Sequence, residues 1–276
     1  MTATSGRTVF ADLGGRTKMA IRRADQPGVD LPVLDDRVSE PQLLSAWAGH
    51  WTGAGTGVTV IVPPPGTVGS GEVRGGAPAT REFALLEPSR PVDRVDAVVL
   101  SGGSAFGLAA GDGVLGLLRE RGAGFPTPYG PVPIVIGMSI FDASVAGVPP
   151  DTVSGRRAMA AALGGTKPAS PAPDPTSPPA SPASDPTSPV PLTNTTIAVL
   201  LTDAKLSKAD CYQLAQSGHT GFARALHPAH SRFDGDAVVA LATGEAAGEV
   251  NLDLLRAAAT EVMASAIRGP VQHSLI

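Results

Sequence analysis

The segment from residue 168 to residue 191 constrains the fold more than any other part of the sequence. It contains ten of the chain's 27 prolines and no glycine, and Asp-Pro-Thr-Ser-Pro occurs in it twice, at residues 174–178 and 185–189. No hydrophobic period runs through it that would pack it on a core. We therefore predict an extended linker, partly in the polyproline II conformation, over residues 166–193.

The linker separates two parts of the 276-residue chain that have recognisable secondary-structure patterns, and a third part, at the amino end, has none. Residues 1–45 have no strong hydrophobic period, and their role is left open. Residues 46–165 form the first part of a predicted folded domain, and residues 194–276 form its second part. The chain is 42% hydrophobic, which is enough to bury a sizeable core.

Both parts alternate between strand and helix patterns, which predicts an α/β fold. In the first part, the predicted strands are residues 58–62, 96–100 and 132–136, and the predicted helices are 105–121 and 155–163. In the second part, the predicted strands are 196–202 and 237–242, and the predicted helices end near residues 226 and 268. Ser207 and Asp210 form a near capping box at the first of these helices, and Asn251 caps the second.

The overall composition argues against several classes of partner. The net charge is −4 and aromatic residues make up only 4%, so neither a basic surface nor stacking rings for nucleic acid are expected. A lone Cys211 cannot form an internal disulfide, and we interpret it as a small core residue. The first residues lead into no apolar run typical of a signal peptide, and no run approaches the ~20 residues of a membrane span. We expect a cytoplasmic protein without membrane contact.

Three hydroxyl residues lie where the linker meets a buried strand: Thr193, then Thr195 and Thr196 after Asn194. A threonine hydroxyl becomes a good nucleophile when a base is held beside it. One solution uses the threonine's own α-amine after the preceding peptide bond has been cut. Here Thr195 would attack the Asn194 carbonyl and be freed by hydrolysis. The alternative is that these threonines simply start a strand, a role in which threonine is common.

Two carboxylates, Asp234 and Asp236, flank Gly235 at the entrance to a predicted strand. They could hydrogen-bond the hydroxyl and the ammonium group of an N-terminal threonine, or they could only form a turn. With His227 and His230 they also offer nitrogen and oxygen ligands for a divalent metal, although no recognised metal spacing is matched. A metal-dependent hydrolase is therefore an open alternative.

A third candidate is the glycine-rich turn of Gly102, Gly103 and Ser104, between a predicted strand and a predicted helix. Backbone amides at such a turn can bind an anion or stabilise an oxyanion. The turn matches neither the dinucleotide-binding fingerprint nor the P-loop, so it gives little reason to expect a nucleotide.

Seven short motifs, in the same order, resemble the L-aminopeptidase/D-esterase family, which includes β-peptidyl aminopeptidases and nylon-oligomer hydrolase. The motifs are Gly-His-Trp-Thr (49–52), Gly-Thr-Gly-Val-Thr-Val (55–60), Val-Arg-Gly-Gly-Ala-Pro-Ala-Thr-Arg-Glu (73–82), Ser-Gly-Gly-Ser-Ala-Phe-Gly-Leu (101–108), Val-Pro-Ile-Val (132–135), Asn-Thr-Thr-Ile (194–197) and Asp-Gly-Asp (234–236). The resemblance extends roughly over residues 46–165 and 192–268.

The resemblance implies an αββα sandwich like that of N-terminal-nucleophile hydrolases, incomplete where family strands are missing. It implies that Thr195 is the nucleophile, that the Asn194–Thr195 bond is cut, and that Asp234 and Asp236 flank the nucleophile. Family substrates are small peptides or amides, cleaved at the amino end. By the same resemblance the substrate-binding residues are Gly102, Gly103, Ser104 and Phe141. No cofactor is expected. Self-association into a homo-oligomer is expected by the same resemblance.

The sequence departs from the family where the proline-rich linker stands. There the family carries a glycine-rich segment with a site lysine, of which Lys167 is at best a remnant, and strands with an asparagine of the oxyanion hole. The only asparagines of this chain are Asn194 and Asn251, and losing an oxyanion donor costs about 100- to 1000-fold in rate. Phe141 stands where some members have a tyrosine. A catalytically impaired relative, kept for binding or assembly, is therefore the alternative to an active aminopeptidase-like hydrolase.

Overall fold

The computed structural model of the chain describes residues 7–12, 46–164, 195–246 and 250–272. The predicted linker lies outside these residues. The strands are β1 (Arg7–Asp12), β2 (Trp47–Gly53), β3 (Thr56–Val62), β4 (Val68–Val73), β5 (Ala79–Arg81), β6 (Ala97–Ser101), β7 (Val135–Ser139), β8 (Thr196–Thr202) and β9 (Ala237–Ala242). The α-helices are α1 (Ser104–Gly107), α2 (Ala110–Glu120), α3 (Thr152–Gly164), α4 (Lys208–Ala225) and α5 (Leu252–Gln272).

The strands form two sheets. The first has the order β1-β8-β9-β4, in which β8 runs parallel to both of its neighbours and β4 runs antiparallel to β9. The second has the order β2-β3-β6-β7-β5, with β6 and β7 parallel. β8 is paired along both edges, because β1 from the amino-terminal region occupies one edge and β9 the other.

Side chains of β8 alternate between two cores. Ile197, Val199 and Leu201 pack between the two sheets, whereas Ala198 and Leu200 pack against helices. Because helices cover one face of the sheet and the second sheet covers the other, the whole strand is buried and reads as a continuous apolar run.

Three apolar clusters separate four layers. One lies between the first sheet and helices α4 and α5, one between the two sheets, and one between the second sheet and helices α2 and α3. The layers pack closely where glycines replace larger residues. A Cβ on Gly155 of α3 would lie 1.9 Å from the Ala110 carbonyl oxygen of α2, so only glycine permits this helix contact. The architecture is the αββα sandwich that the sequence predicted.

The second part of the chain was predicted closely. Strands β8 and β9 have the predicted bounds, and the capping box of Ser207 and Asp210 is present at α4. The Asn251 side chain accepts the Leu254 N–H, as expected of a cap, but α5 extends to Gln272 rather than to residue 268. Cys211 is buried in the core between α4 and the first sheet, so its predicted place is confirmed.

The first part was predicted less well. The helix predicted over residues 105–121 is broken into α1 and α2, and the strand predicted at 132–136 lies at Val135–Ser139. The strand begins late because Pro133 lacks an N–H and the next N–H, that of Ile134, donates to the Asp96 carboxylate at 2.7 Å instead. Among the described residues, no helix is long and apolar enough to cross a membrane.

Candidate active site

Thr195 lies immediately before β8 and is only 6% exposed. The Gly235 N–H donates to its hydroxyl oxygen Oγ1 at 3.1 Å. A Cβ on Gly235 would lie 3.0 Å from Cγ2 and 3.2 Å from Oγ1 of Thr195, so a side chain at this position would crowd the threonine. Asn194, the other half of the predicted scissile bond, lies outside the described residues.

The Asp236 carboxylate holds the residue that follows Thr195. Its Oδ1 accepts the Thr196 N–H at 2.8 Å. Its Oδ2 accepts the His230 backbone N–H at 2.9 Å and faces the His230 ring Nδ1 at 2.8 Å. The residue is 2% exposed, so these protein groups, and not bulk water, satisfy the carboxylate.

Asp234 lies on the other side of Gly235 and is also buried. Its Oδ2 accepts the Ser231 N–H at 2.6 Å, and its backbone carbonyl accepts the Ala77 N–H at 2.8 Å. The structure therefore brings Thr195, Asp234 and Asp236, three residues singled out from the sequence, together around Gly235.

A loop from the first part of the chain closes this group from outside. The Arg74 and Gly75 N–H groups donate to the Asp236 carbonyl at 2.9 and 3.2 Å. A Cβ on Gly75 would lie 2.3 Å from both the Asp234 carbonyl oxygen and the Asp236 nitrogen. Because backbone meets backbone here, no larger residue fits. This contact is the physical reason for glycine at position 75, and Gly76 is confined in the same way by the Arg232 carbonyl oxygen, which would lie 2.4 Å from an added Cβ.

His219 of α4 lies behind the aspartates and was not singled out from the sequence. Its ring centroid lies 4.9 Å from that of His230, in an edge-to-face arrangement. Its Nε2 lies 2.9 Å from the Glu72 carbonyl oxygen, to which it donates, and its Nδ1 has no hydrogen-bond partner among the described residues. Burial lowers the pKa of His219 to about 4, so the ring is uncharged at neutral pH. A single histidine in an amphipathic helix carries no sequence signal for such a place.

The glycine-rich turn after β6 is held by a different carboxylate. The Gly103 N–H donates to Asp142 Oδ1 at 3.2 Å, and the Thr56 hydroxyl donates to Oδ2 at 2.8 Å. Gly103 and Ser104 both have positive φ angles, of 81° and 53°. A Cβ on Gly102 would lie 1.8 Å from Asp142 Oδ2. The turn is thus built on glycines packed against a buried aspartate.

Both groups lie toward the same end of the sandwich. Ala77 contacts Asp234 through the backbone, and two residues later Ala79 pairs with Ser139 at the end of β7. Phe141 lies two residues after the end of β7 and is half-exposed. A short stretch of backbone therefore connects the aspartate group with the region of the predicted substrate-binding residues.

The described residues do not support the alternative of a metal centre. They contain no group of three or more His, Cys, Asp or Glu side chains arranged to hold a metal ion. His227 is exposed, while His230 and Asp236 bond to one another. The four residues that the sequence offered as ligands thus do not form a ligand set.

Solved structures define the class of protein to which this architecture belongs. An L-aminopeptidase D-Ala-esterase/amidase from Ochrobactrum anthropi, described as a variant of the Ntn-hydrolase fold, matches with a TM-score of 0.63 over 84% of this chain and 85% of that one, at 13% identity. A β-aminopeptidase from Burkholderia sp. matches with a TM-score of 0.57 over 81% and 83%, at 18% identity. The fold is that of the Ntn hydrolases.

Sequence comparison then identifies the family. The model of peptidase family S58 matches residues 37–170 and 166–274, and the chain belongs to this family of aminopeptidase-like hydrolases. An uncharacterised aminopeptidase of Mycobacterium bovis is 38% identical over 76% of this chain and 80% of that protein. A 6-aminohexanoate-oligomer endohydrolase of Agromyces sp. is 26% identical over 81% and 82%. These matches confirm the resemblance drawn from the seven motifs.

The alignments to the family are interrupted within this chain. The family match comes in two pieces, which meet at the start of the proline-rich segment. The alignment to the mycobacterial protein runs over 275 residues yet takes in 76% of the 276 residues of this chain. That relative therefore has residues without a counterpart here.

Proposed function

We propose that this protein is an autoprocessing aminopeptidase with Thr195 as its amino-terminal nucleophile. The observation that carries the proposal is the buried Thr195 hydroxyl at the head of a central strand, in contact with the Gly235 amide. Family membership supports the hydrolytic chemistry, and the two flanking aspartates support a site built around this threonine.

In the proposed maturation, Thr195 Oγ1 attacks the Asn194 carbonyl carbon. The C–N bond breaks, the acyl group moves to the threonine oxygen as an ester, and the nitrogen takes up the hydroxyl proton. This acyl shift frees the α-amine. Water then hydrolyses the ester, which frees the hydroxyl and leaves Asn194 with a C-terminal carboxylate. A free α-amine has a pKa of about 7.7 to 8, so near neutral pH it can accept the hydroxyl proton in each later turnover.

The surrounding residues have distinct roles in this proposal. The Gly235 N–H points at Oγ1 and would stabilise negative charge that develops there as the proton leaves. Asp236 holds the Thr196 amide and so fixes the direction from which the threonine presents its hydroxyl. We assign Asp234 to the freed α-amine on the basis of the family resemblance, because a buried carboxylate there would favour an ammonium group.

For the substrate, we propose a small peptide or related amide with a free amino end. The relatives' names, β-aminopeptidase and 6-aminohexanoate-oligomer endohydrolase, support amide substrates of this kind. Gly102, Gly103, Ser104 and Phe141 are the proposed contacts, and the exposed phenyl ring of Phe141 favours an apolar group next to the scissile bond. A cytoplasmic homo-oligomer that needs no cofactor completes the proposal.

The alternative function is that of a catalytically impaired relative with a binding or assembly role. It is favoured by the residues that the mycobacterial relative has and this chain lacks. The family's oxyanion asparagine would have been among them. In this alternative the fold persists while neither autocleavage nor turnover occurs.

Intact-mass spectrometry of the purified, denatured protein separates the two functions. We expect fragments corresponding to residues 1–194 and 195–276, and a single uncut chain from Thr195→Ala. Thr195→Ser is the matched control, because it keeps a hydroxyl and should still be cut. An uncut wild-type chain that is folded and does not hydrolyse aminoacyl p-nitroanilides would support the impaired relative. Identical fragments from Thr195→Ala would indicate a contaminating protease.

A further inference from the structure

His230 donates to Asp236 from two atoms, and the mechanism above gives it no role. Its backbone N–H and its ring Nδ1 both reach Asp236 Oδ2, while Oδ1 of the same carboxylate accepts the Thr196 N–H. Resting on the proposed function, we propose that His230 is a positioning residue. It fixes the rotation of the Asp236 carboxylate, which fixes the amide after Thr195 and so directs the nucleophile.

The burial of Asp236 makes this arrangement sensitive to a lost donor. The residue is 2% exposed, so water has little access to replace the ring N–H if the His230 side chain is removed. The remaining backbone N–H approaches Oδ2 from one direction only. With only this donor left on Oδ2, rotation of the carboxylate about its Cβ–Cγ bond is less restricted, and the Thr196 N–H has a less firmly fixed acceptor.

Neighbouring rings keep His230 in place. The His219 ring packs edge-on against it, and the Phe222 ring lies with its centroid 6.1 Å away. His219 is itself anchored to the Glu72 carbonyl. Because His219 is uncharged at neutral pH, it supports the His230 ring without competing for the Asp236 carboxylate.

The geometry assigns the role to one atom of the ring. A carboxylate oxygen only accepts, so Nδ1 carries the proton that faces Asp236. The side-chain amide nitrogen of asparagine lies close to the position of Nδ1, whereas that of glutamine lies close to the position of Nε2. His230→Asn therefore keeps the relevant donor and His230→Gln moves it away.

Backbone strain needs its own control, because His230 has a φ of 59°. Histidine and asparagine tolerate this left-handed region better than most residues, and glycine adopts it freely. His230→Gly thus removes the side chain without adding strain. A loss seen in both His230→Gly and His230→Gln is a loss of the side-chain donor and not of backbone conformation.

The test compares the wild type with His230→Asn, His230→Gln and His230→Gly. The measurements are the autocleavage rate, kcat and KM on an aminoacyl p-nitroanilide, and thermal unfolding. We expect kcat to fall about 10- to 100-fold in His230→Gly and His230→Gln, the size typical of misplacing a reacting group, with KM nearly unchanged. His230→Asn should restore kcat to within a few-fold of wild type. Equal losses in His230→Asn and His230→Gly would overturn the assignment to Nδ1.

Hydrogen exchange of the Thr196 amide tests the same proposal without any activity. We expect faster exchange at this amide in His230→Gly than in wild type, and near-wild-type exchange in His230→Asn. If the wild type neither cuts itself nor turns over substrate, the proposed function fails, and the exchange rates alone decide on positioning. An unchanged Thr196 exchange rate in His230→Gly would overturn the positioning role of His230.

Discussion

Two buried aspartates organise the two halves of the candidate site, and they do so with different partners. Asp236 precedes β9 in the first sheet, and Asp142 follows β7 in the second. Each accepts a backbone N–H from another part of the chain, that of Thr196 in one case and that of Gly103 in the other. Both carboxylates therefore act as fixed acceptors that join segments distant in sequence.

The two aspartates differ in their other hydrogen-bond partners. Asp142 accepts from the hydroxyls of Thr56 and Ser144, which are neutral at every relevant pH. Asp236 accepts from the ring of His230, and behind that ring lies His219. A buried carboxylate whose hydrogen bonds are all satisfied thus has, by itself, only a structural role. Asp236 belongs to the candidate site because it positions the amide next to Thr195.

The largest expected effect comes from Asp236→Asn. The amide would place a donor opposite either the Thr196 N–H or the two donors of His230, so one hydrogen bond becomes a repulsive contact. We expect autocleavage and kcat to fall about 100- to 1000-fold, as when a preorganised polar contact is removed from an active site. Cleavage time courses and steady-state kinetics measure this. A loss below tenfold would remove the distinction drawn between the two aspartates.

The next effect concerns pH and belongs to the Asp236 side alone. Burial lowers the pKa of His219 from its usual 6.5 to about 4, so between these values the unfolded chain binds a proton that the folded chain does not. Stability is therefore unaffected above pH 6.5 and falls as the pH drops toward 4, by a total of about 3 kcal/mol. Urea unfolding at pH 7, 5.5 and 4 measures this dependence.

His219→Gln provides the matched control for that prediction. Its amide nitrogen can still donate to the Glu72 carbonyl but cannot titrate. We expect the variant to lose less stability than the wild type between pH 7 and pH 4. Parallel losses in the two proteins would show that other groups cause the acid sensitivity.

A smaller effect is expected from Asp142→Asn. One of its oxygens becomes a donor and can no longer accept from Thr56 or Gly103, which costs about 1 to 3 kcal/mol for an unsatisfied buried group. Because no hydrogen bond among the described residues joins Asp142 to Thr195, we expect autocleavage to change less than tenfold at a temperature where the variant is folded. Unfolding in urea and intact-mass time courses measure the two effects. A catalytic loss equal to that of Asp236→Asn would contradict the comparison.

The smallest effect is a null result that reports on the fold. Burial raises the pKa of the Cys211 thiol to about 12, so the folded protein should not react with iodoacetamide at pH 8, whereas the protein in urea should. Asp236→Asn and His230→Gly should also remain unlabelled. Rapid labelling of either variant would mean that its loss of activity reflects an opened core and not a misdirected Thr195.

Elements with strong local patterns were the ones predicted correctly. β8 and β9 are continuous apolar runs, and α4 begins with a capping box. β4 was missed because Gly69 and Gly71 make it a poor strand by propensity. It forms because it pairs with β9, where a Cβ on Gly71 would lie 2.8 Å from the Val238 carbonyl oxygen.

The candidate site was predictable only in part, for a similar reason. Thr195, Asp234 and Asp236 belong to short motifs that can be read along the chain. The participation of His219 and of the Gly75 backbone depends on contacts between segments more than 100 residues apart in sequence. Residues brought together in this way have no local spacing by which they could be found.

By itself the sequence determined the family, the alternation of strands and helices and the residues around which a site is built, because these are recorded in local patterns and motifs. The tertiary structure decided which carboxylate holds the neighbour of Thr195, that β1 covers the edge of β8, and that His230 faces Asp236. Those facts arise from packing and hydrogen bonding across the sandwich. Their free energy depends on burial, which exists only once both sheets are assembled.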